Sequence, residues 1–341
     1  MLLEQRKFVT SCPRWSKNSH HTHSILATNV PTMNDSIKIF EVGPRDGLQN
    51  EATPIDTAQK LSLIDGLVDA GLQHIEATSF VHPKAVPQMA DADDVMKTAV
   101  SQHGNRSNFI GLVFNQRGYD RAVASGAQGL AFGVAVSNTM SQKNTNMSSQ
   151  KALETTRALV EQAKRDGLWT RVYLITAWIC PFEGPTPPPR TIQFAEAVWS
   201  LGIDELAVAD TIGYANPLEV GLLMEQLGRR LDMSRLAVHL HDTQAMGLAN
   251  ATAALQAGVR IFDSSVGGLG GCPFAPGAAG NLATEDLVFL AYKMRLGTGV
   301  DFEKLWQVVY QLESWMNRPV GGRIRQWWES QCRLEPTMAY R

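Results

Sequence analysis

Eight short apolar runs, each followed by a helix-like or glycine-rich stretch, constrain this chain more than any other feature. The runs cover residues 36–42, 74–80, 108–115, 129–137, 171–179, 206–210, 236–240 and 259–266. Apolar residues recur at helical spacing between them. Residues 56–70 are the clearest case, with Leu61, Ile64, Leu67 and Val68, and Gly71 stands where a helix C-terminus favours glycine. Further helices are predicted over 87–99, 117–125, 150–166, 191–201, 217–231 and 243–256.

Regular β–α alternation with short, continuously apolar strands implies parallel strands buried on both faces. An open doubly wound sheet and a closed barrel both satisfy this. Eight units spread over about 250 residues match the barrel. The first run leads into GPRDG, which lacks the glycine spacing of a dinucleotide site. The expected fold is therefore α/β: a (β/α)8 TIM barrel with additional C-terminal helices, over residues 36–316. The Arg- and Trp-rich stretch 317–341 is expected to be a partly ordered tail. Residues 1–35 read as a disordered leader, as an extension ahead of Met33, or as a transit peptide, being rich in Ser, Arg and Lys and poor in acid.

The chain has 341 residues and a formal net charge of −2. That balance gives no reason to expect nucleic acid or an anionic membrane as partner. No apolar run approaches the roughly 18 residues of a membrane span. Cys12, Cys180, Cys272 and Cys332 are widely spaced, which argues against a disulfide framework and for a reducing compartment. A cytoplasmic location is expected, or the mitochondrial matrix if the leader is a transit peptide.

Barrel active sites lie at the C-terminal ends of the strands. The polar residues cluster there: Glu41, Arg45, Asp46 and Gln49 after the first run; Glu76, Thr78 and Ser79 on the second; Ser137 and Asn138 after the fourth; Asp210 and Thr211 after the sixth; His239, His241 and Asp242 on the seventh. His239 and His241 are two residues apart, so on a strand both point the same way. Two neutral imidazoles with a carboxylate suit a divalent metal; a hydrogen-bonded core pair is the plainer alternative. Asp46 and Asn281 stand at neighbouring strand ends, and the mix of Asp, Asn and His favours Mg²⁺ or Mn²⁺ over structural zinc. Arg45 is either a salt-bridge partner at the barrel mouth or a fixed cation for developing negative charge. Glu76 either holds Arg45 or binds substrate.

The last run opens into DSSVGGLGGCPFAPGAAGNLATED, residues 263–286, with six glycines. Glycine at that density costs backbone entropy, so a loop whose backbone approaches something closely is expected. Cys272 lies within it and is a candidate acid, base or nucleophile. Cys180, in ICPF, is the weaker candidate.

GPRDGLQNE (43–51), IEATSFVHPKAVPQM (75–89), ADTIGYA (209–215), VHLHDT (238–243) and the glycine loop together resemble the 3-hydroxy-3-methylglutaryl-CoA lyase family. The likeness runs from Ile37 to Pro319. The RDG and His-x-His elements alone are shared with isopropylmalate and homocitrate synthases. The resemblance implies a metal-dependent barrel that cleaves a 3-hydroxyacyl-CoA by retro-Claisen chemistry, with coenzyme A as part of the substrate. It implies metal ligation by the residues matching Asp46, His239, His241 and Asn281. It also implies enolate stabilisation by Arg45 and acid/base catalysis by Cys272. Asp46 and His239 are the candidates for the base that takes the hydroxyl proton. Substrate contacts are expected from Arg45, Gln49, Glu76, Ser79, Asn138, Tyr173 and Thr211. A homo-oligomer, dimer or tetramer, is expected.

The sequence departs from the family pattern in SNTMSQKN after the fourth run, at Trp178 and Ile179 before Cys180, and at Gln244 and Ala245 after HDT. These positions surround the predicted barrel mouth. They leave open a citramalyl-CoA or longer branched 3-hydroxyglutaryl-CoA substrate. A condensing acyl-CoA synthase and a non-catalytic barrel are the alternatives from other classes.

Overall fold

Parallel strands close on themselves in the order β1 (Lys38–Glu41), β2 (His74–Ser79), β3 (Asn108–Leu112), β4 (Gly129–Ala135), β5 (Trp169–Ile175), β8 (Glu205–Ala209), β9 (Leu236–His239) and β10 (Ile261–Ser264), which pairs back with β1. The computed structural model describes residues 35–271 and 280–333. Between β5 and β8, a two-residue hairpin is formed by β6 (Ile179–Cys180) and β7 (Gly184–Pro185). Helices α1 (Thr57–Asp69), α2 (Ala92–His103), α3 (Gln116–Ala124), α4 (Asn138–Thr145), α5 (Ser149–Arg165), α6 (Pro188–Trp199), α7 (Pro217–Gly228) and α8 (Gly247–Gln256) connect the strands. Three more follow the barrel: α9 (Thr284–Lys293), α10 (Phe302–Met316) and α11 (Arg325–Arg333). The expected (β/α)8 barrel with additional C-terminal helices is thus the observed fold. No helix among the described residues is long and apolar enough to cross a membrane.

The alternation of strand side chains separates two cores. Ile39, Val172 and Leu174 face outward into the large core shared with the helices. Phe40, Val42, Tyr173, Ala207 and Ala237 face inward and fill the barrel. Arg171 and Asp263 share that interior and are fully buried.

The structure shortens or divides several predicted elements. The run 171–179 ends as a barrel strand at Ile175, because Thr176 takes a left-handed φ of 56° and turns the chain into the β6–β7 hairpin. Beyond β4, Ser137 Oγ accepts the Met140 N–H at 3.2 Å and starts α4, a helix not expected from the sequence. The helix predicted from 243 begins at Gly247, whose N–H is accepted by Asp242 Oδ1 at 2.9 Å. The stretch 87–99 divides into a 3-10 turn and α2.

The C-terminal segment ties down the stem of the glycine loop. Gly321 N–H donates to Gly267 O at 3.0 Å, and Glu285 accepts the N–H groups of Gly267 (3.1 Å) and Gly322 (2.6 Å). Trp328 of α11 stacks on Trp306 of α10, with centroids 5.8 Å apart and ring planes 9° apart. Burial, reinforced by neighbouring Asp286, pushes the Glu285 carboxyl up from 4.5 to about 8. Within that window the folded chain holds a proton that the unfolded chain has released, so stability falls as pH rises through it. Thermal melts between about pH 5 and pH 9 should therefore show a steeper decline for the wild type than for Glu285→Gln. Parallel declines would contradict the assignment.

Candidate active site

The mouth of the barrel gathers side chains from β1, β9 and the return of the glycine loop. Asp46 sits on a π-helical turn, Gly43–Gly47, immediately after β1. His239 ends β9 and His241 follows two residues later. The chain returns from the glycine loop beside them: Asn281 bridges to His241, Asp242 N–H donates to Gly280 O at 3.1 Å, and Leu282 N–H donates to Leu240 O at 2.9 Å. One ligand atom each from Asp46, His239 and His241 lie within 4.8 Å of one another.

The hydrogen bonds at Nδ1 fix which nitrogen each imidazole offers. His241 Nδ1 lies 3.0 Å from the Asp210 carbonyl, which can only accept, so Nδ1 carries the proton and Nε2 a lone pair. Burial, assisted by His239, pushes the His241 pKa down to about 4 and keeps that imidazole neutral. His239 Nδ1 lies 3.0 Å from Asp263 Oδ2. Burial opposes a charge on Asp263, but the buried Arg171 guanidinium outweighs it and holds the carboxyl below its ordinary range. An ionised carboxylate also only accepts, so His239 Nδ1 carries a proton, and the neutral form of the ring has its lone pair on Nε2, 3.8 Å from Asp46 Oδ2. Asp46 is itself held at about 2, because the charge of Arg45 overcomes the cost of burial.

Asn281 Nδ2 donates to Asp46 Oδ2 at 2.9 Å and to Leu269 O at 3.1 Å. Its Oδ1 is buried without a hydrogen-bond partner. An unpaired buried carbonyl oxygen is costly and needs an explanation. Two imidazole nitrogens, a carboxylate and this oxygen form a donor set that fits a divalent cation.

Arg45 is only 6% exposed. Its Nε and Nη2 fork onto the two oxygens of Glu76, both at 3.1 Å, and its Nη1 pairs with Asp46. Glu76 also accepts the Tyr173 hydroxyl at 2.5 Å and lies behind Arg45, away from the cavity. A cavity of about 620 Å³ opens in front, lined by Arg45, Asp46, Gln49, Ser79, Tyr173, Thr211 and both histidines. Leu112, Phe114, Met140 and Ile175 give it an apolar wall, and Lys143 on α4 also lines it, stacked over Phe182 at 4.9 Å. Asn138 does not line the cavity. It begins α4, is exposed, and its Oδ1 accepts the Ser149 N–H at 3.1 Å. Cys272 lies outside the described residues; neighbouring Gly271 reaches the cavity, and its carbonyl accepts from Asn50 Nδ2 at 2.8 Å.

Sequence reasoning missed Asp263, Arg171 and Lys143. The first two carried a signal, a charged residue inside an apolar strand run at an inward-facing position. Lys143 carried none, because α4 itself was unexpected.

The family model described as HMGL-like matches residues 36–311. The chain is 42% identical over 294 residues to the hydroxymethylglutaryl-CoA lyase YngG of Bacillus subtilis, covering 86% of this chain and 98% of that one. It is 40% identical to the mitochondrial hydroxymethylglutaryl-CoA lyase of Mus musculus, covering 91% and 94%. An Acinetobacter baumannii HMG-CoA lyase solved in complex with coenzyme A and 3-methylmalate superposes with a TM-score of 0.83 at 33% identity, covering 91% of this chain and 99% of that one.

Gly270 shows how closely the loop approaches this centre. Its φ is +106°, and a Cβ there would lie 2.5 Å from Asn281 Nδ2. Gly270→Ala should therefore displace Asn281 and weaken Mn²⁺ binding by at least about tenfold in isothermal titration. Gly184→Ala carries a comparable positive φ (+76°) with nothing within 4 Å, and should leave binding unchanged. Equal affinity in both variants would remove Asn281 from the donor set.

Proposed function

The chain belongs to the HMGL-like family, and we propose that it is a divalent-metal-dependent carbon–carbon lyase cleaving 3-hydroxy-3-methylglutaryl-CoA to acetyl-CoA and acetoacetate. The observation that carries this reading is the convergence of Asp46, His239, His241 and the unpartnered Asn281 Oδ1 beside a buried Arg45. These four residues are assigned as the holders of a cation, Mg²⁺ or Mn²⁺. When bound, it supplies Lewis acidity to the tertiary hydroxyl and orients a substrate carboxylate.

The remaining steps belong to side chains. The hydroxyl proton must leave before the C2–C3 bond breaks. Nδ1–H of His239 is committed to Asp263, so that nitrogen cannot take the proton, and the Asp46 carboxylate is assigned as the base. As the bond breaks, C3 becomes the ketone of acetoacetate and negative charge moves onto the thioester oxygen of acetyl-CoA. Burial works against the Arg45 charge, but Asp46 and Glu76 more than restore it, so the guanidinium stays cationic and can stabilise that oxygen. Cys272 is assigned the return of a proton to C2. Gln49, Ser79, Tyr173 and Thr211 line the path for the acyl chain.

A second reading, a related 3-hydroxyacyl-CoA such as citramalyl-CoA or a longer branched 3-hydroxyglutaryl-CoA, draws on the apolar wall of Leu112, Phe114, Met140 and Ile175. One panel of these thioesters, assayed for acetyl-CoA release, separates the two. Release from 3-hydroxy-3-methylglutaryl-CoA, abolished by EDTA and restored by Mn²⁺, is the expected result. Release from citramalyl-CoA alone would reassign the substrate, and no release from any thioester would overturn the lyase reading.

A further inference from the structure

We propose that Arg171, which touches no part of the cavity, is a positioning residue that sets the direction of the protons in two hydrogen-bonded branches beneath the active site. Its guanidinium lies in the barrel interior, fully buried, with Cζ 3.9 Å from the Phe40 ring centroid. Nη2 pairs with Asp263 Oδ1, and Nη1 donates to the Tyr173 hydroxyl at 3.2 Å. Nε lies 2.9 Å from Glu205 Oε1, an ion pair without hydrogen-bond alignment, and Glu205 is anchored in turn by Lys38.

Guanidinium donates and never accepts. Two branches leave Arg171, and each is polarised by that fact. On one, the Tyr173 oxygen receives from Arg171, so its single proton goes onward to Glu76, which accepts the fork of Arg45. On the other, Asp263 Oδ1 is occupied by Arg171, so Oδ2 is left to accept Nδ1–H of His239. One buried cation thereby supports Arg45 through one branch and the His239 tautomer through the other. The consequence for metal binding rests on the reading of His239 Nε2 as a ligand.

Asp263→Asn tests the second branch, because Arg171 decides which way the new amide turns. The amide oxygen must face the guanidinium, so its NH₂ faces His239 Nδ1. That nitrogen then has to accept, and Nε2 acquires the proton and loses its lone pair. The expected result is a drop in Mn²⁺ affinity of about 10- to 100-fold, read by electron paramagnetic resonance on metal-free protein. Nitrogen-15 spectra of the histidines should show the His239 proton moving from Nδ1 to Nε2. Adding Arg171→Met to Asp263→Asn frees the amide to turn over, and should recover part of the lost affinity. Wild-type affinity in Asp263→Asn, or no recovery in the double variant, would overturn the proposal. If neither variant folds, the metal-free wild type still decides: a His239 Nδ1 without a proton would overturn it. Wild-type protein that binds no Mn²⁺ would instead overturn the metal reading, a separate failure.

Discussion

An imidazole can hold a cation only through a bare nitrogen, and at both histidines of this mouth that nitrogen is Nε2, because Nδ1 is committed elsewhere. For His241 the commitment is to the main chain, the carbonyl of Asp210 at the end of the neighbouring strand. For His239 it is to Asp263, one strand over, in the register that pairs Asp263 with His239. The barrel closure places β8, β9 and β10 side by side, so the supports of both ligands belong to the scaffold and not to loops. Ligands supported in this way lose little freedom on binding, which favours a precise site.

The glycine loop follows the same logic at its ends. Glu41, on the last residue of β1, accepts N–H groups from Gly43 at 2.8 Å and Val266 at 2.9 Å, and the Thr284 hydroxyl at 2.6 Å. One buried carboxylate therefore fixes the turn that carries Arg45 and Asp46, the entry to the loop, and the helix after it. Burial pushes that carboxyl up to about 7 against these hydrogen bonds. Asn281 is held between this scaffold and the strand end at His241, with its oxygen left bare.

Much of this was legible in the sequence, for identifiable reasons. Barrel strands buried on both faces must be short and apolar, so their number and order could be read directly. His239 and His241 could be placed on one side of a strand by spacing alone. The supports could not: Arg171 and Asp263 are 92 residues apart and meet only because the barrel closes. Asn138 follows a strand, the position that points to the mouth, but Ser137 turns it into a helix start, which spacing alone does not reveal. Trp178 and Ile179 likewise leave the barrel at the left-handed Thr176, and Trp178 packs its ring N–H on Glu219 O at 3.2 Å.

One cation position, defined by four named atoms, is the centre of this site. Crystals soaked in Mn²⁺ and measured at the manganese absorption edge locate it without reference to turnover. The expected result is a single anomalous peak about 2.1 Å from Nε2 of His239, Nε2 of His241, an Asp46 carboxylate oxygen and Asn281 Oδ1. A peak coordinated without either imidazole, or no peak at the barrel mouth at saturating Mn²⁺, would contradict it.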